Sequence, residues 1–423
     1  MKESLTAMSG QSSILVPAIQ NGVCQRCLSK LDETDLDDQF RRYCKVCEAY
    51  GRVGEGMMLY RYPRILTLKN HLIQWPFPLS KAQRVASANL IETLKSHQSG
   101  FLHAVCGAGK TEILYESLLW GLNQGFRICL AIPRTDIVRE LTDRLKPIFP
   151  NTIIKCLHRD EKDDSDADIV VSTIQQLIRY HQEFDLLFLD EADAFPYKSN
   201  PFLHQLVKKA LKAEGIIVRM SATVDKIERR SLRMEKIPTY ILPARHHRHR
   251  LDQLSVTYII DLSRCLWVRK VPDAVGLWLS KHAEMGKQVL LFVPTIPFGV
   301  WLENVLKLAG FVCMNVSSVD DRRNDKIMAF RAGRIPILIS TTLLERGITV
   351  SDIDVGIIHA SHAVFDEHTL IQMAGRVGRD KRHPTGEIMI FTERRTSAIR
   401  NAQKYIRIMN KKARKSDLID HDL

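Results

Sequence analysis

Residues 186–195 read LLFLDEADAF. Four apolar residues, Leu186, Leu187, Phe188 and Leu189, run straight into two adjacent carboxylates, Asp190 and Glu191. So short an apolar run, bounded by a Glu-Phe-Asp segment and by Pro196, predicts a central strand of a parallel sheet, buried on both faces. In open α/β sheets the ligand sits just past the carboxyl ends of such strands. The acid pair therefore stands where a ligand is expected.

Upstream, residues 101–122 read FLHAVCGAGKTEILYESLLWGL. A short apolar strand enters Gly107-Ala108-Gly109-Lys110-Thr111, and an amphipathic helical pattern follows. Strand, Gly-rich turn, Lys-Thr and helix together form a phosphate cradle. The glycines let backbone amides approach the phosphate oxygens of ATP, and the helix start adds its dipole. Lys110 is the cation for the β- and γ-phosphates, and Thr111 offers its hydroxyl to Mg2+. The general pattern has Gly where Ala104 stands, so this is a variant of it. In P-loop ATPases a carboxylate at the end of a neighbouring strand holds the magnesium. Asp190 is the candidate ligand, and Glu191 the candidate base that orients the attacking water.

These pieces, with SAT at 221–223 downstream, resemble the superfamily 2 helicases and translocases. Further segments follow in that family's order. AIPRTDIVREL (131–141) and STIQQL (172–177) resemble nucleic-acid-contacting segments of a first lobe. LLFVPT (290–295), STTLLERGI (340–348) and QMAGRVGRD (372–380) resemble three motifs of a second lobe. The resemblance implies Gln83, in PLSKAQ, as the adenine-reading amide, and Gly347 as a further nucleotide-binding residue. It implies Arg376 and Arg379 as arginine fingers that stabilise charge on the leaving phosphoryl group. Ser221 and Thr223 would link hydrolysis to lobe movement. Gln372 stands where RNA-remodelling DEAD-box proteins usually have His, and Glu345-Arg346 and PRTDIVREL also depart from them. The departures favour DNA, despite the literal DEAD tetrapeptide.

The alternation of strand and helix patterns predicts an α/β protein of two RecA-like parallel-sheet lobes with a small N-terminal zinc-binding module. Expected strands of the first lobe lie at 126–132, 167–173, 185–190 and 215–220; those of the second at 288–294, 311–316, 335–341, 353–359 and 387–392. The expected domains are 1–74 for the module, 75–235 for the first lobe and 236–423 for the second. An acidic stretch, 159–168, reads as a solvated connection. In the joint, Arg245-His246-His247-Arg248-His249-Arg250 is open to three readings: a metal site, a phosphate contact or a solvated basic linker.

The 423 residues carry 61 Lys and Arg against 48 Asp and Glu, a net charge of +13. Such a balance points to a polyanionic partner, nucleic acid before an anionic membrane surface. No apolar run nears the ~18 residues of a membrane span, and the first residues lack the apolar stretch of a signal peptide. With scattered, unpaired-looking cysteines (Cys106, Cys129, Cys156, Cys265, Cys313), a cytoplasmic protein is expected. Cys24 and Cys27 form one Cys-x-x-Cys pair, and Cys44 and Cys47 another. Each pair supplies half of a tetrahedral Zn2+ site. Arg26, Lys30, Arg41, Arg42 and Lys45 surround them with Tyr43 and Tyr50 between, a composition that suits contact with single-stranded DNA. A purely structural or protein-docking module remains the other reading.

A four-cysteine module ahead of a DNA-type superfamily 2 core resembles the late-competence DNA-uptake ATPases, the ComFA family. That resemblance implies an ATP-dependent translocase on single-stranded DNA in natural transformation, peripheral to the cytoplasmic face of the cell membrane. It also implies a membrane channel and a small phosphoribosyltransferase-like competence protein as partners, with oligomerisation possible. Two other readings stand beside it: a replication-restart or repair helicase, and a DNA-dependent ATPase acting as a switched clamp or scaffold.

Overall fold

The apolar run of 186–189 lies in the strand Phe184–Leu189, all of whose residues but Asp185 are buried. It pairs in parallel with Ile128–Ile132 on one side and with Leu211–Ser221 on the other. It is a central strand of a seven-stranded sheet in the order Thr239–Leu242, Gly100–Ala104, Leu211–Ser221, Phe184–Leu189, Ile128–Ile132, Ile169–Thr173, Ile154–Leu157. Helices Lys81–Lys95, Lys110–Asn123, Thr135–Leu145 and Pro201–Ala210 alternate with these strands. The sheet interior is a near-continuous set of Ile, Val, Leu and Phe, as strands covered on both faces require.

This computed structural model describes residues 2–4, 12–63, 70–158, 167–260, 262, 270–345 and 350–420. Most of the acidic stretch (159–166) and Cys265 lie outside the described residues. Two compact units emerge: Met1–His103 with Lys110–Ile241, and Ala104–Gly109 with Leu242–Leu423.

The second unit holds a six-stranded sheet, Leu254–Tyr258, Ile388–Thr392, Ile353–Ile358, Gln288–Phe292, Ile337–Ser340, Cys313–Val316, paired in parallel throughout. The strands expected from the apolar runs of both lobes are all present, most within a residue or two of the expected bounds, while Leu211–Ser221 begins four residues earlier than expected. Thr239–Leu242, within the expected joint, is instead a strand of the first sheet.

The N-terminal segment belongs to the first unit. Strands Lys2–Ser4, Met58–Tyr62 and Ile14–Pro17 form a small antiparallel sheet. Cys24 sits on the short strand Val23–Cys24, and Cys44 is the N-cap of the 3-10 helix Lys45–Tyr50. The four cysteines share one buried cluster with lobe residues such as Leu177, Tyr180, Phe184 and Leu203. The module therefore has no separate core. It is packed onto the first lobe, which its position ahead of the motor in sequence does not reveal.

Candidate functional site

The strand Gly100–Ala104 leads through a tight loop into the helix Lys110–Asn123. Gly107 and Gly109 have φ of +81° and +75°, a left-handed backbone that side-chain-bearing residues rarely adopt. Ala108, between them, is buried, and its amide donates to the Val105 carbonyl at 3.1 Å. Lys110 and Thr111 open the helix at its dipole-positive end.

The Lys110 ammonium lies 3.6 Å from Asp190 Oδ1, with both side chains about one-fifth exposed at 19%. Residues 80 apart in sequence thus converge because both sit at the carboxyl ends of parallel strands or the turns beyond them. Asp190 also accepts a hydrogen bond from the Glu191 amide at 2.8 Å. Glu191 has φ +52°, so the chain turns sharply just after the strand. A non-glycine residue held this way is strained, and such strain recurs where a side chain must be aimed.

The other acid of the tetrapeptide, Asp193, is buried and accepts a hydrogen bond from Thr223 Oγ1. Ser221 Oγ donates to the Thr223 carbonyl and accepts from the Thr223 amide. The Ala192 amide donates to the Met220 carbonyl at 3.0 Å. DEAD and SAT are therefore one hydrogen-bonded unit at the ends of adjacent strands. Beside them, burial pushes the Glu228 carboxyl up to about 7, helped by Asp225 and Asp193 and opposed by Arg219.

Gln83 is buried near the start of the helix Lys81–Lys95. Its Oε1 accepts from the Ser80 amide at 2.9 Å, and its own amide donates to Ser80 Oγ at 3.3 Å. This is a capping box, for which the Ser-x-x-Gln spacing was the available signal. The amide oxygen expected on adenine is thus engaged in fixing the helix start.

In the second unit, Arg376 is buried, and its Nε and Nη2 donate to the Glu345 carbonyl at 2.9 and 2.5 Å. Arg379 Nε donates to the Gly375 carbonyl at 2.8 Å. Gly347 lies outside the described residues. The basic run at 245–250 is no solvated linker at its start. Arg245 and His247 are buried and hold the Gly378 carbonyl at 2.8 and 3.0 Å. Burial holds His247 down, to about 4, so it is a neutral ring here. Arg248 pairs with Asp420 at 2.7 Å. Among the described residues the run belongs to no cluster of metal donors. Its hold on the loop that carries Arg376 and Arg379 had no sequence signal, because the partner is a backbone carbonyl.

Cys24, Cys27, Cys44 and Cys47 are buried, with their Sγ atoms all within 4.8 Å of one another. Cys24 and Cys47 are 3.8 Å apart, Cys27 and Cys44 3.5 Å. A tetrahedral zinc with Zn–S of about 2.3 Å sets its sulfurs roughly 3.8 Å apart. The donor set and spacing fit a structural zinc ion and are far too wide for disulfides.

Residues 76–226 match the family described as type III restriction enzyme, res subunit, and residues 269–381 the helicase conserved C-terminal domain. The chain is 35% identical over 381 residues to competence protein ComFA of Bacillus subtilis, covering 89% of this chain and 82% of that protein. It is 34% identical over 396 residues to ComFA of Streptococcus pneumoniae, covering 92% and 90%. Among solved structures, S. cerevisiae Dbp5 bound to RNA and ADP BeF3 superposes with a TM-score of 0.58 at 21% identity, covering 78% of this chain and 88% of that one. RecG bound to a three-way DNA junction gives 0.55 at 19%, covering 78% and 45%. These two likenesses concern the fold. With ComFA proteins matched along nine-tenths of its length, the chain belongs to the ComFA family of competence proteins, ATPases of the helicase and translocase class.

Proposed function

We propose that this protein is an ATP-driven translocase on single-stranded DNA that serves DNA uptake in natural transformation. The observation that carries the reading is the convergence of the phosphate-loop Lys110 with Asp190, in a chain of the ComFA family. The loop Gly107-Ala108-Gly109 cradles the ATP phosphates, and Lys110 neutralises their charge. Thr111 and Asp190 would hold magnesium, which screens charge on the phosphate oxygens. Glu191 orients the attacking water, Gln83 meets the adenine, and Arg376 and Arg379 stabilise the developing charge. Zinc on Cys24, Cys27, Cys44 and Cys47 holds the module. The functional divisions are 1–74, 75–235 and 236–423.

DNA crosses the segments around Pro133-Arg134, Ser172-Thr173 and Thr341-Thr342. Work at the cytoplasmic face of the membrane, beside a channel and a phosphoribosyltransferase-like competence protein, is part of the proposal. Among the described residues no helix is long and apolar enough to cross a membrane. The test is displacement of a tightly bound roadblock protein from single-stranded DNA. ATP-dependent displacement supports the translocase. DNA-stimulated hydrolysis without displacement reassigns the protein as a switched clamp. Single-stranded DNA should stimulate hydrolysis more than duplex DNA or RNA of equal length.

A further inference from the structure

A cleft of about 650 Å³ opens between the four-cysteine module and the first lobe. We propose that this cleft is part of the path of single-stranded DNA, with the module supplying one wall. The inference rests on the reading of the chain as a single-stranded DNA motor.

The lobe wall carries Pro133, Thr135, Thr173 and Arg179. Thr173 ends its strand, Pro133 and Thr135 lie just past the end of the neighbouring parallel strand, where Ile132 is paired with Thr173, and Arg179 ends the 3-10 helix that follows. Two hydroxyls and a partly exposed guanidinium on one wall are donors suited to phosphate oxygens. The helix Thr135–Leu145 begins at this wall, and its N-cap, Arg134, supplies no side-chain hydrogen bond to the first turn. The helix dipole at this first turn favours an anion, though Asp136 in the same turn opposes it. Gln176, 7% exposed, also lines the cleft, and its Oε1 has no hydrogen-bond partner among the described residues.

The module wall carries Arg26 and Tyr50. Arg26 is buried, and its guanidinium donates to the Tyr50 and Gly51 carbonyls at 2.5 and 3.0 Å. It thus fastens the end of the 3-10 helix and holds Tyr50 in position. A half-buried aromatic ring, fixed in advance across from phosphate donors, is a stacking platform for a base.

The rest of the module does not compete for this role. Its outer cations are matched by local acids: Arg41 with Asp37 at 3.1 Å, Arg42 with Glu55 at 2.6 Å, Lys45 with Asp35 at 3.9 Å and Arg52 with Glu48 at 3.8 Å. The basic composition that suggests phosphate binding in the sequence is largely neutralised on the outer face. The cleft volume falls in the range of roughly 300–1,000 Å³ that takes one small ligand. That is room for about one or two unpaired nucleotides, and too little for a duplex.

The experiment uses the full zinc-loaded chain and oligothymidylate carrying 4-thiothymidine. Irradiation followed by peptide mapping should place cross-links on the peptide containing Tyr50 as well as on the first lobe. Tyr50→Ala and Arg179→Gln should each weaken binding of unmodified oligothymidylate about tenfold, while Tyr50→Phe retains it. Arg179→Gln should also lower the slope of log affinity against log salt by about one. Zinc content, measured on each variant, checks that the module is folded. If the wild-type chain does not bind the oligonucleotide, the underlying single-stranded DNA reading fails. If it binds, but without cross-links to the module and with both variants at wild-type affinity and slope, the cleft assignment is overturned while that reading stands. Wild-type DNA binding by variants that have lost a protein partner equally overturns it and makes the cleft a protein dock.

Discussion

The Lys209 ammonium is buried against the Glu3 carboxylate, bringing together residues 206 positions apart in sequence. Lys209 also donates to the Arg26 and Ile178 carbonyls, and Glu3 accepts from Arg61 Nε at 2.8 Å. One side chain thus ties the N-terminal strand, the first Cys-x-x-Cys turn and the lobe. Burial holds the Lys209 ammonium below its ordinary range, and the Glu3 carboxylate counters that.

Replacing Lys209 leaves a buried carboxylate and two carbonyls without their shared donor. Removing one partner of a buried pair costs about 3–5 kcal/mol. Lys209→Ala should lower the denaturant midpoint accordingly and speed hydrogen exchange at residues 24–50. A loss below about 1 kcal/mol would mean that apolar packing alone holds the module on the lobe.

The acid pair sets the second expectation. Glu191→Gln keeps the shape of the turn but removes the carboxylate proposed as the base, so ATP should bind while DNA-stimulated turnover falls about 10²–10⁴-fold. Lys110→Ala removes the cation proposed for the phosphates and should abolish measurable hydrolysis. Nucleotide binding and steady-state turnover, measured together, separate the two roles. Near-full turnover in Glu191→Gln would remove Glu191 from the mechanism.

The central strands were legible because burial on both faces leaves an uninterrupted apolar run, and the phosphate loop because glycine spacing reports backbone geometry directly. The acid pair at 190–191 became interpretable once strand and loop were placed on one sheet. Contacts between distant segments were not legible in this way. Neither Glu3 nor Lys209 stands out among 48 acids and 61 bases. Arg245 and His247 look like surface residues in composition, yet their partner is the Gly378 carbonyl, and a carbonyl leaves no trace in side-chain sequence. Likewise the cations of the module read as free for phosphate until their local acids are seen in place. Gln83 shows the opposite case: Ser80-Lys81-Ala82-Gln83 carries the capping-box pattern openly in the sequence, beside the expected adenine contact.

Glu228 supplies a pH dependence. Its folded carboxyl titrates near 7, raised from 4.5 by burial first and by Asp225 and Asp193 next. The fold therefore favours the protonated form. That contribution is fully present below about pH 4.5 and is lost as pH rises toward and through 7. Glu228→Gln should be more stable than wild type at pH 8, by an amount on the order of 1 kcal/mol after allowance for partial exposure, and so should melt at a higher temperature. The difference should vanish near pH 4.5. Parallel melting curves for both proteins across that range would show that Glu228 is already solvated and ordinary.

The four cysteines give the last expectation, and the shared core changes its scope. Replacing Cys44 and Cys47 together with Ala leaves two thiolates, too few to retain zinc, so zinc should fall from about one per chain to near zero. The short strands and single 3-10 turn around the site bury little besides the cysteines themselves, so the proposed zinc should supply most of the folding free energy of residues 24–50. Because that cluster runs into Leu177, Tyr180 and Leu203, the loss should also reach the first lobe. Its hydrogen exchange should quicken near 174–184 and 203–210, while the second sheet, around Gln288–Phe292, stays protected. Elemental analysis and exchange on one preparation decide the matter. Zinc retained in full by the double variant would refute the ligand set. Zinc lost with exchange unchanged beyond residue 60 would show that the module is a passenger on the lobe, whose core stands without it.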